Sequence, residues 1–189
     1  MMVCVKAGLA VLAAAGLAAF AGTASAQTVI STYTDVDLDT CTVVSADDFG
    51  ATWACPGYKG IPVMIGEGDL RFFVSYGLTS TTERAAEQTL PPFNHLGSRI
   101  EWRIGNVGGE ITPFATILRF FVARPDGEEG EGQVLVVTRL GPGATCHVAY
   151  VDAVANPNAN ELARKAADET AQDFDCANEP EIIGEFAAW

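Results

Sequence analysis

Cys41, Cys55, Cys146 and Cys176 constrain this chain more than any other feature, because the segment before them directs them into an oxidising compartment. Lys6 stands ahead of an apolar stretch from Ala7 to Phe20, and Ala24-Ser25-Ala26 supplies the small residues that a signal peptidase accepts. This pattern predicts a signal peptide over residues 1–26, with cleavage before Gln27. The apolar run is shorter than the roughly 20 residues a spanning helix needs, so no membrane span is expected after cleavage. Cys4 precedes the run and leaves with it, which speaks against a lipoprotein. The mature chain is therefore expected to be periplasmic or secreted.

Four thiols in such a compartment predict two structural disulfides, with three connectivities open. Pairing by neighbourhood joins Cys41 to Cys55 and Cys146 to Cys176, 14 and 30 residues apart. In the chain-entropy model each crosslink is worth about 3 kcal/mol. Zinc is the competing use of four cysteines, but there is no CxxC and no short Cys/His pair. Cys146 and His147 are adjacent, which would send their side chains to opposite faces of a strand. No metal and no cofactor is expected.

Residues 27–189 amount to 163 residues, the size of one domain. They carry 10 basic and 24 acidic side chains, a net charge of −14. That balance disfavours nucleic acid and anionic membrane surfaces as partners, since both are recognised through a basic footprint. It favours a basic partner, whose approach it would accelerate.

The pattern along the domain is β-rich with one late helix. From Tyr33 to Val44, Asp35, Asp37 and Asp39 alternate with Val36 and Leu38, which predicts a strand, and Ser45–Ala51 reads as a polar turn. Ile61–Ile65 and Leu70–Tyr76 flank Gly66-Glu67-Gly68-Asp69 as the arms of a hairpin. Ser80 and Glu83 suggest a capping box for a short helix through Gln88, ended by Pro91-Pro92. Arg99–Ile104 is the next strand and Asn106–Gly109 its turn. Ala115–Arg124 and Gln133–Leu140 form a second hairpin around an acidic turn, and Thr145–Val151 a further strand. Asn156-Pro157 reads as an N-cap and first helical residue. From there to Asp173, Leu162, Ala163, Ala166, Ala167 and Thr170 recur at helical spacing. Cys176 follows, placed to staple the helix end to the strand of Cys146. The expected fold class is α+β: an antiparallel β-meander sheet, a C-terminal helix packed on it, and two disulfides.

Catalytic signals are weak. There is no G-x-S-x-G elbow, and His147, mid-strand beside a half-cystine, reads as a satisfied core imidazole. Asp35, Asp37 and Asp39 begin like a calcium loop, but Thr40 stands where Gly is required and Ala46 where Glu is required. The acids at Glu67, Asp69, Glu128, Glu129 and Glu131 read as solvated turn charges. Asp69 with Arg71, and Glu101 with Arg103, read as charge ladders that fix strand register. Asp69 and Glu101 would serve a small carboxylate-dependent hydrolase only if they converged in one pocket.

Two stiff loops are the better candidates. Cys55-Pro56-Gly57-Tyr58-Lys59-Gly60 would hold Tyr58 and Lys59 at little entropic cost to binding. Leu90-Pro91-Pro92-Phe93-Asn94-His95-Leu96 would present Phe93, Asn94 and His95.

The stretch CPGYKGIPVMIGEGDLRFFVSYG, with GQVLVVTRL and CHVAYVDA, resembles a group of uncharacterised exported proteins of Gram-negative bacteria. The resemblance covers most of the mature chain, and implies neither an activity nor catalytic residues. As a small acidic β-rich domain with paired cysteines, the chain is similar in architecture alone to periplasmic lysozyme inhibitors. The expected function is a non-enzymatic binding or inhibitor-like module for a protein or envelope component, with a structural envelope protein as the blander alternative.

Overall fold

A computed structural model of the chain describes residues 1–2, 28–124 and 130–189. Residues 3–26 of the expected signal peptide, and 125–129 of the expected acidic turn, lie outside the described residues.

Among the described residues, ten strands form two sheets. The larger orders β1 (Ile30–Asp35), β6 (Asn94–Val107), β7 (Glu110–Ala123), β8 (Glu131–Arg139), β9 (Cys146–Asp152) and the short β10 (Glu181–Ile182). Every pairing in it is antiparallel except β9 with β10. The smaller is an antiparallel meander of β2 (Thr42–Asp47), β3 (Gly50–Pro56), β4 (Pro62–Gly68) and β5 (Arg71–Tyr76). Helix α1 (Ala159–Thr170) covers one face of the larger sheet and the smaller sheet covers the other. The result is three layers with two cores.

Alternation along β6 and β7 builds both cores at once. Ile100, Trp102, Leu118 and Phe120 point to the smaller sheet, where Val63, Ile65, Val74 and Tyr76 meet them. Phe114 and Ile117 lie on the helix side with Val137 and Val148. There α1 presents Ala159, Ala163, Ala166 and Ala167, small residues that let the helix lie close to the sheet. Both disulfides pair as neighbours, Cys41–Cys55 and Cys146–Cys176.

Several local expectations are corrected. The segment expected as one strand at 33–44 is divided between β1 and β2, which belong to different sheets; a 3₁₀ turn at Leu38–Thr40 lies in the connection. The expected polar turn at 45–51 is the tip of a β2–β3 hairpin, in which Asp47 Oδ1 accepts from Phe49 N–H at 2.8 Å and Gly50 N–H at 3.1 Å. The expected helix at 80–88 is two 3₁₀ turns, Ser80–Thr82 and Arg84–Glu87. Glu83 is spent elsewhere, accepting from Thr79 Oγ1 at 2.5 Å, Gly143 N–H at 2.7 Å and Thr145 N–H at 2.9 Å. Helix α1 starts after Asn158, because the Asn156 amide instead donates to Asp152 O at 2.8 Å and Glu185 O at 2.6 Å.

Candidate functional site

Two hairpin tips and one loop meet at one end of the sandwich. Gly50 pairs with Gly68, and a Cβ on Gly50 would lie 2.1 Å from Glu67 O, so only glycine allows this approach. Beside the pair, Phe49 is 86% exposed on the β2–β3 tip and Leu70 is 62% exposed on the β4–β5 tip. Asp69 and Leu70 both have positive φ, +52° and +59°, in a two-residue hairpin turn that ordinarily takes Asn-Gly.

The loop before β6 is tied to the start of β5. Thr89 Oγ1 donates to Phe72 O at 2.6 Å, and Phe72 N–H donates to Asn94 Oδ1 at 3.0 Å. The Asn94 amide also donates to Pro92 O at 2.9 Å and Leu90 O at 3.3 Å, so this buried side chain is used in bracing the loop. Arg71 Nε donates to Pro91 O at 2.9 Å, and its guanidinium lies 5.2 Å from the centroid of the Phe93 ring. Phe93 stays 48% exposed.

Between these elements runs an open groove of about 580 Å³. One wall comes from the smaller sheet and holds Trp53, Phe72 and Glu67; the other comes from the larger sheet and holds His95, Phe121 and Glu131. Trp53 and Phe72 stack with centroids 6.5 Å apart, and His95 stacks on its cross-strand neighbour Phe121 at 4.8 Å. Each wall thus carries a stacked ring pair and a carboxylate. Glu67 Oε1 accepts from Leu70 N–H at 3.2 Å, and Glu131 Oε1 lies 3.1 Å from His95 Nε2.

Of the residues singled out from the sequence, Phe93, Asn94 and His95 line this groove. Tyr58 and Lys59 stand at the far end of β5, about 17 Å away by strand rise. There Tyr58 packs on Trp102 with centroids 6.2 Å apart, and Lys59 Nζ lies 5.3 Å from the Tyr58 ring. The two loops therefore do not form one surface. Trp53, Phe72 and Phe121 were missed, since each sits in an ordinary strand with no local signal; Glu67 and Glu131, read as solvated turn charges, also line the groove. A second cleft, of about 490 Å³ and without a charged side chain in its wall, lies beside Ile61 and Tyr76, under the exposed Leu78.

The carboxylates named as hydrolase candidates are apart. Asp69 pairs with Arg71 at the β4–β5 tip, while Glu101 lies under α1 in the ladder Arg164–Glu101–Arg103–Asp168. Arg164 Nε and Nη2 grip Glu101 Oε1 and Oε2 at 2.7 and 3.1 Å, and the Ser31 hydroxyl donates to the same carboxylate. Arg103 holds Asp168 with two further bonds of 2.8 and 2.5 Å. Burial alone would raise the Glu101 carboxyl, but the bonds from Arg164 and Ser31 and the charges of Arg164 and Arg103 outweigh it and hold it below its usual range. A carboxylate held in this way is a poor proton acceptor.

His147 is buried at 1% exposure, its Nδ1 2.9 Å from the Tyr150 hydroxyl. Burial, helped by the Arg84 charge, pushes its pKa down to about 3. Among the described residues, no three His, Cys, Asp or Glu side chains gather as a metal site. No described helix is long and apolar enough to cross a membrane. Compared with protein-family models, with curated proteins and with solved structures, the chain matches none.

Proposed function

We propose that the chain is an exported, non-enzymatic binding module that recognises a basic protein partner through the groove between the hairpin tips. The observation that carries it is the clustering of three exposed large apolar side chains, Phe49, Leu70 and Phe93, around one aromatic-walled groove. Clustered exposed apolar residues rimmed by charge mark contact surfaces. The rim is acidic in net charge, since Asp48, Glu67, Asp69 and Glu131 outnumber Arg71, and it agrees in sign with the whole domain. The two disulfides fit an oxidising compartment and support the exported location.

The test is capture from a periplasmic extract on the immobilised chain, comparing wild type with Phe93→Ala, and with Tyr58→Ala as the control remote from the groove. A partner recovered by wild type and by Tyr58→Ala, but not by Phe93→Ala, is the expected result, with recovery falling as salt rises. Equal recovery by all three proteins would remove the groove from the interaction. Recovery indifferent to salt would remove the basic character of the partner.

A further inference from the structure

We infer that the groove is an arginine site: it takes the guanidinium of an arginine side chain presented by the partner. This rests on the binding function proposed above and specifies what that surface reads. The groove walls combine two features that separately would suit different ligands. Trp53, Phe72, His95 and Phe121 offer aromatic surface from both sheets, and Glu67 and Glu131 bring one carboxylate to each wall. A purely aliphatic occupant would desolvate those carboxylates while offering no donor to the oxygens that Leu70 N–H and His95 leave free. An ammonium would satisfy the charge, but it is a strongly hydrated point that gives up more on being pressed against rings. A guanidinium is planar, weakly hydrated and able to lie on an aromatic face while donating to a carboxylate at its edge.

The same end of the molecule already contains such an arrangement. Arg71 lies over the Phe93 ring at 5.2 Å, donates from Nε to Pro91 O at 2.9 Å, and pairs with the Asp69 carboxylate. Ring, carbonyl and carboxylate thus surround one guanidinium at the rim. The groove next to it repeats ring and carboxylate on both walls, and its carboxylates are positioned in advance by Leu70 N–H and by His95. Charge complementarity works at longer range as well, since the mature domain carries −14.

The experiment is an NMR titration of the isotope-labelled chain with three blocked tripeptides, Ala-Arg-Ala, Ala-Lys-Ala and Ala-citrulline-Ala. Citrulline keeps the shape of arginine without its charge, and lysine keeps the charge without the plane. The arginine peptide is expected to shift the Trp53 indole N–H and the amides of His95 and Glu131. It is expected to bind about threefold or more tighter than the lysine peptide and about tenfold tighter than the citrulline peptide. Replacing both groove acids, Glu67→Gln with Glu131→Gln, is expected to abolish the difference between arginine and citrulline; both side chains are solvent-accessible, so the fold survives. Equal affinity for lysine, equal affinity for citrulline, or no shift at the groove into the millimolar range would each overturn the inference. A captured partner that depends on Phe93 while the peptides show no arginine preference overturns this inference alone and leaves the binding function standing.

Discussion

Leu70 occupies a backbone conformation that L-residues with a branched side chain avoid, with φ at +59°, and it does so while 62% exposed. Its neighbour Asp69 shares the conformation at +52°. A left-handed non-glycine residue costs about 1–2 kcal/mol, and an exposed leucine recovers little of that by burial. Glycine at this position would relieve the strain, because it visits positive φ freely. Leu70→Gly is therefore expected to raise stability by about 1 kcal/mol, read as an increased urea midpoint at unchanged slope. Capture of the partner is expected to weaken in the same variant. If stability fell instead, Leu70 would be a packing residue and its display would have no functional content.

The elements that could be read in advance are those whose pattern is local. Ile61–Ile65 and Leu70–Tyr76 alternate around a glycine-rich turn and became β4 and β5, and the alanines of α1 recur at helical spacing. Neighbouring cysteines paired as expected because each pair is brought together by adjacent structure, the β2–β3 region and the exit of α1. What stayed hidden was assignment to layers. Thr42–Asp47 and Gly50–Pro56 show no clean alternation, and nothing local reveals that the chain leaves one sheet at Asp35 and begins another at Thr42. The groove was legible as a binding surface only at Phe93, Asn94 and His95, where two prolines signal a stiff loop; its walls come from six strands, β3 to β8. The alanine face of α1 carries its own prediction. Ala163 is fully buried against the sheet, so Ala163→Leu must force helix and sheet apart or distort rotamers. It is expected to cost about 1–3 kcal/mol in thermal unfolding, whereas Lys165→Ala on the exposed face should change little.

Across the described residues, no disulfide joins one sheet to the other. Cys41–Cys55 lies within the smaller sheet and its approach segment, and Cys146–Cys176 ties the helix exit to the larger sheet. Cohesion of the sandwich rests on burial, so it is exposed to whatever charges groups kept in or beside the cores. Two such groups respond to acid in the same sense. The folded pKa of His147 is lowered from 6.5 to about 3, so the unfolded chain takes up its proton first and stability drains away between those values as pH falls. Glu101, held below its ordinary 4.5, contributes stability that is complete above that value and is lost below it. Urea midpoints are expected to fall between about pH 7 and pH 5, where His147 dominates, with a shallower decline in His147→Phe. An identical decline in that variant would place the acid sensitivity elsewhere.

The three tryptophans fall at three kinds of site. Trp53 stacks on Phe72 in the groove wall, Trp102 is fully buried and donates from Nε1 to Thr34 Oγ1 at 2.8 Å, and Trp189 lies against Phe186 and Tyr150 near the surface. The molecule consequently carries its own optical reporters. With Trp102 and Trp189 replaced by phenylalanine, the remaining indole emission follows occupancy of the groove without any dye, and the reciprocal variant follows disassembly of the sandwich interior.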